Sequence, residues 1–173
     1  MPVPRLVEPA SIDDLLLYRI GHLLASAGSM VIRLCEGRFG ITRREWRILA
    51  LLAREEGLGS SQLAERAHLD RARTSRAITS LVAKKMVRRD TAPGDRRQAR
   101  LALTPAGRGL YDQLFPLVRE INVRLVAPLA GGDAGALDRH LDALQAQADR
   151  MVLQAQLPKA DRRRGGRTLR ALG

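Results

Sequence analysis

Ten lysines and arginines fall between residues 71 and 100, faced only by Asp90 and Asp95. A second basic block, 158–173, sets six basic side chains against Asp161. Elsewhere the signs balance, with nine basic and nine acidic residues in 1–70 and five against six in 101–157. The net charge of +12 is therefore segregated, whereas an ordinary solvated surface mixes signs. Segregation of this kind marks a polyanionic partner. Guanidinium groups offer two chemistries toward such a partner. They neutralise phosphates, and from a helix they can read guanine edges through paired hydrogen bonds.

The spacing within 71–84 separates these roles. A helix capped by Asp70 and running to about Lys84 turns Ala72, Ser75, Ile78, Leu81 and Val82 inward. It then leaves Arg71, Arg73, Thr74, Arg76, Ala77 and Ser80 outward. Arg73, Thr74, Arg76 and Ala77 are expected at base edges, the Thr and Ala against thymine methyls. Ser60, Ser61, Arg71 and Lys84 are expected at phosphates, which set register without reading sequence. Further on, Asp95-Arg96-Arg97 stands at a hairpin tip, where an inserted arginine suits a narrow minor groove. Asp95 would hold Arg97 by a charge-assisted bond.

Other chemistries find little support. Cys35 is the lone cysteine, and His22, His68 and His140 lie far apart, so neither an internal disulfide nor a zinc site is expected. No nucleophile–base pair, carboxylate dyad or phosphate loop appears, so no catalytic residue, metal or cofactor is assigned. Aromatic residues make up 3% of the chain, too few for base-stacking platforms on single strands. No stretch reaches the ~18 apolar residues of a membrane span, and residues 1–8 lack the pattern of a signal peptide. The expectation is a cytoplasmic protein without a membrane partner.

The elements that must position these residues are mostly helical. Apolar residues recur at helical spacing from Ile12 to about Cys35, with Ser11 as expected cap. Thr42 and Glu45 form a capping box for a second helix through Trp46 and Leu52. Ser60 is read as the cap of a short third helix, and 68–70 as a tight turn into the basic fourth. Two strands near Met86–Asp90 and Arg100–Leu103 flank a turn with Pro93-Gly94. Thr104-Pro105 restarts a helix that contains Pro116, and Gly131-Gly132 with Asp133 opens a sixth carrying Leu137, Leu141 and Leu144. The tail 158–173 is read as disordered. The fold class is thus mainly α with a small β-hairpin wing: a winged helix-turn-helix beside helical segments.

Glu45-Trp46-Arg47-Ile48-Leu49, Gln62-Leu63-Ala64-Glu65-Arg66, Ser75-Arg76-Ala77-Ile78 and the run Asp95 to Gly107 resemble the MarR family of bacterial regulators. The resemblance covers about residues 12–155, and its most specific part is the Asp-x-Arg-x-x-x-Leu-x-Leu-Thr wing. It implies a homodimeric regulator, a repressor, on a pseudo-palindromic double-stranded DNA operator, with Arg97 in the minor groove. Its domains would be a lead-in at 1–11, a dimerisation helix at 12–40, a DNA-binding lobe at 41–104, dimerisation helices at 105–157 and the basic tail. It also implies release by a small aromatic or phenolic acid, for which Tyr18, Arg19, His22 and Trp46 are the candidate contacts. Alternatives are a sequence-tolerant architectural DNA binder, or a thiol-based redox sensor through Cys35, with Arg33 and Arg38 lowering its pKa. One position departs from the family: Lys85 stands where glycine is usual. Either it tolerates a left-handed backbone or the turn changes.

Overall fold

The computed structural model describes residues 3–92, 95–129 and 131–156, without the side chains at 91, 92 and 95–98. The Pro93-Gly94 turn and the tail 158–173 lie outside the described residues. The chain divides into two units, Met1–Ala127 and Pro128–Gly173.

In the first unit, Ser11 does not cap a long helix as expected. Asp14 accepts hydrogen bonds from the Ser11 N–H and hydroxyl, both at 3.1 Å, and closes a 3-10 turn over Ile12–Asp14. Leu15 is extended, so α1 starts only at Leu16 and runs to Arg38. Helix α2, Arg43–Arg54, opens with the expected box: Glu45 N–H donates to Thr42 Oγ1, and the Thr42 N–H donates to Glu45 Oε2 at 2.6 Å. Strand β1, Leu58–Gly59, leads into α3, Ser60–Arg66, and α4 follows at Arg71–Ala83. The cap of α3 is Gly59 rather than Ser60, with its N–H on Gln62 Oε1.

Strands β2, Val87–Ala92, and β3, Asp95–Leu103, are longer than the sequence pattern suggests. The sheet is antiparallel in the order β1-β3-β2, with Leu58 opposite Leu101 and Val87 opposite Leu103. Helix α5, Pro105–Val126, is capped by Thr104, whose Oγ1 accepts from the Gly107 N–H, and Pro116 sits inside it without ending it. Its entry is tight: a Cβ on Gly107 would overlap the Met86 carbonyl oxygen. The core gathers Ile48, Leu49, Leu52, Leu63, Ile78 and Leu101, all at most 1% exposed. It seats α4 against α2 and α3, which is what aims α4's outer face.

Among its described residues the second unit holds one helix, α6, Asp133–Gln154, whose cap is Gly132 rather than Asp133. Leu137, Leu141 and Leu144 are all exposed along it. Among the described residues, no helix is long and apolar enough to cross a membrane.

Candidate nucleic-acid interface

Helices α3 and α4 end the same way. The Leu69 N–H donates to Ala64 O and the His68 N–H to Glu65 O, both at 3.0 Å, with His68 at φ 48°. At the end of α4 the Met86 N–H donates to Leu81 O and the Lys85 N–H to Val82 O, both at 2.9 Å, with Lys85 at φ 58°. Each is a paired six-residue and four-residue closure that needs one left-handed residue just past the helix, a place glycine usually fills. Lys85 therefore tolerates the left-handed backbone, and the turn keeps its form. Between the two closures, Asp70 Oδ1 accepts the Arg73 N–H at 2.7 Å and caps α4.

The outer face of α4 differs from expectation. Thr74 is 1% exposed and Ala77 7%, while Ala72 and Ser75 are exposed. Thr74 Oγ1 donates to the Asp70 carbonyl within the helix. Thr74 and Ala77 are thus corrected from base contacts to core. The inward set is Thr74, Ala77, Ile78 and Leu81, an i, i+3, i+4, i+7 stripe. Outward stand Arg71, Ala72, Arg73, Ser75, Arg76 and Thr79. Arg73 is steered by Asp70, with Nε 3.1 Å from Oδ2.

One expected phosphate contact, Lys84, and one residue expected on the outer face, Ser80, turn inward as well. Lys84 Nζ lies 2.9 Å from Glu45 Oε1 and donates to the Gly40 carbonyl at 2.8 Å. Ser80 hydrogen-bonds the same Glu45 carboxylate. Burial would raise the Glu45 pKa, but bonds from Ser80, the Thr42 backbone and Lys84 outweigh it and hold the carboxyl below its ordinary value. Ser60 and Ser61 are exposed at the start of α3, Arg71 and Arg76 on α4. Arg89 on β2 reaches Thr79 Oγ1 at 3.5 Å, joining wing to helix at a place the sequence reading missed. Asp95, Arg96 and Arg97 lie on β3, but their side chains are outside the described residues.

A cleft of about 470 Å³ opens between α1, α2 and α5, lined by Ile20, Leu23, Ala27, Trp46 and Val118 with Arg43, Arg47 and Asn122. Of the four expected effector contacts only Trp46 lines it. Tyr18 and His22 pair with each other on α1, ring centroids 4.8 Å apart, and neither they nor Arg19 line the cleft. Trp46 stacks on Tyr111 at 5.7 Å. Arg43 and Arg47 were overlooked because only the fold brings α2's first turns against α1. Cys35 is fully buried. Burial and then Glu36 push its thiol pKa up, and the opposing cation is Arg43 rather than Arg33 or Arg38.

Comparison with known proteins agrees with this geometry. A model of the MarR family matches residues 39–98. A curated protein of Thauera aromatica, assigned as a transcriptional regulatory protein for the hcr operon, is 30% identical over 98 residues. That match takes in 57% of this chain and 59% of the relative, so the chain spans about three-fifths of that protein's length. The structure is similar to that of MepR of Staphylococcus aureus in complex with DNA, with a TM-score of 0.70 and 18% identity over 80% of this chain and 99% of MepR. It is also similar to BpsR of Bordetella bronchiseptica, whose DNA binding is regulated by 6-hydroxynicotinic acid. There the TM-score is 0.62 and the identity 22%, over 73% of this chain and 98% of BpsR. At these identities the two structures speak for the fold.

Proposed function

We propose that the chain is a member of the MarR family and a homodimeric, sequence-specific regulator of transcription, a repressor released from its operator by a small aromatic acid. The carrying observation is the outer face of α4. Arg71, Arg73 and Arg76 stand there beside Ala72 and Ser75, on a helix seated by a buried stripe and flanked by a basic hairpin. A helix so presented suits the major groove, with its first turns at base edges. Arg97 on the wing takes the adjacent minor groove, oriented by Asp95. Ser60, Ser61 and Arg71 hold phosphates.

Dimerisation supplies the second half-site about one helical turn (~34 Å) away. The exposed apolar residues of α1, among them Leu17, Leu23 and Leu24, and the leucine row of α6 support that assembly. The α1/α2/α5 cleft lies in the size range of ligand pockets, roughly 300–1,000 Å³. Its two arginines suit a carboxylate and Trp46 a ring, which supports the acidic aromatic effector.

Competition between an operator fragment and random DNA at fixed salt tests the reading. The expected specificity ratio is about 1,000 or more, and a ratio near unity favours a sequence-tolerant architectural protein instead.

A further inference from the structure

Arg47 belongs to two structures at once. Its side chain lines the α1/α2/α5 cleft, and its Nη1 donates to the Ala67 carbonyl at 2.6 Å. Ala67 caps the C-terminal end of α3, and the next residue is the left-handed His68 of the helix-turn-helix turn. The closure of that turn engages the carbonyls of Ala64 and Glu65, and it leaves the Ala67 carbonyl to Arg47. A cation at this end of a helix also meets the negative pole of its dipole. One guanidinium therefore ties the cleft wall to the turn that sets the direction of α4.

The cleft end of this tie is poised for an anion. Arg43 lines the same wall, and its Nη1 would lie 3.2 Å from a Cβ on Gly28, so the glycine lets it sit against α1. Burial first, and repulsion from Arg43 second, lower the Arg47 pKa, with no carboxylate contributing. Two neighbouring cations in a partly dry wall would both gain from a negative group between them.

We propose that Arg47 is the transmitting residue of this protein: a carboxylate seated in the cleft draws its guanidinium off the Ala67 carbonyl and loosens the turn between α3 and α4. This rests on the effector-released reading above and names the contact that carries the release. The coupling is a differential one. The tied state keeps α4 in its DNA-ready setting, and the ligand favours the untied state.

The full chain with benzoate, and benzamide as its neutral isostere, tests the proposal. Trp46 is the sole tryptophan and lines the cleft, so its fluorescence reports occupancy without DNA. Saturable benzoate binding is expected, with benzamide about tenfold weaker or worse. Hydrogen exchange at the His68 and Leu69 amides should then quicken about tenfold in the wild type on benzoate addition. In Arg47→Gln it should be fast already and indifferent to benzoate. Arg47→Lys keeps one donor for Ala67 and should retain the ligand effect, which guards against a Gln variant that fails to fold. Benzoate binding at Trp46 with unchanged exchange at 68–69 overturns the role of Arg47 while leaving the effector reading intact. Equal release of operator from Arg47→Gln and wild type does the same. No Trp46 response at millimolar benzoate sinks the aromatic-acid reading and this proposal with it.

Discussion

The ammonium of Lys84, at the end of α4, lies 2.9 Å from Oε1 of Glu45 in the first turn of α2. The Glu45 side chain is 2% exposed and that of Lys84 36%. The same carboxylate caps α2 through the Thr42 N–H, so one acid both starts one helix and anchors the end of another. A residue that looks from the sequence like a phosphate contact is a strut that holds the end of α4 against α2.

Removing the cation should be costly. Lys84→Met leaves a buried carboxylate without its charge partner, and the half-exposed setting puts the loss at about 2 kcal/mol. The Glu45 pKa is lowered in the folded state from its ordinary 4.5. Its contribution is therefore present above that value and lost as pH falls through the folded one. Urea denaturation should show wild type and Lys84→Met well apart at neutral pH and converging as the pH falls through the lowered Glu45 pKa. A gap that stays constant with pH would mean that Lys84 acts by packing alone.

Lys85 carries a left-handed backbone at φ 58° that a side chain disfavours. Lys85→Gly should raise stability by about 1 kcal/mol, the difference between strain relieved and chain entropy added. Lys85→Val, branched at Cβ, should lower it. Thermal melts of the three proteins check the order. Because Thr104 Oγ1 donates to the Lys85 carbonyl at 2.7 Å, the same substitutions also report on the joint between α4 and α5.

Much of this layout is legible in the sequence because local chemistry decides it. The Thr42–Glu45 box and the Thr104-Pro105 start form as their residue types dictate. The phase of α4 was misread because both possible stripes share Ile78 and Leu81, Val82 is partly buried beside them, and the remaining differences are alanines, a serine and a threonine, which carry little hydropathic contrast. Caps at Gly59 and Gly132 were placed one residue late because the next residue, Ser60 or Asp133, is itself a good capping type. Strand β1 has two residues, too few to show alternation. The bonds from Lys84 to Glu45 and from Arg47 to Ala67 span 39 and 20 residues, and only the packed helices bring those partners together.

Cys35 has no exposed surface, and burial raises its thiol pKa. Little reactive thiolate is then available. Ellman's reagent should label it at least about a thousandfold more slowly than a free thiol, at the rate set by opening of the fold. Peroxide should leave operator affinity unchanged. Rapid labelling of the native protein, with loss of DNA binding, would restore the redox-sensor reading.

The two faces of α4 offer the sharpest separation of roles. Arg76 is exposed on the outer face of α4, so Arg76→Ala should leave the melting temperature within a few degrees. Its operator affinity should fall by about 1–3 kcal/mol, with relaxed preference at one base position. Ala77, next in sequence, is 7% exposed on the opposite face. Ala77→Gln forces a polar amide into the core beneath α4 and should cost about 1–3 kcal/mol of stability. Any loss of DNA binding in that variant should track its unfolded fraction. Paired melts and operator titrations therefore read the orientation of α4 directly. A stable Ala77→Gln with altered base preference, beside a silent Arg76→Ala, would mean that α4 presents the other face to DNA.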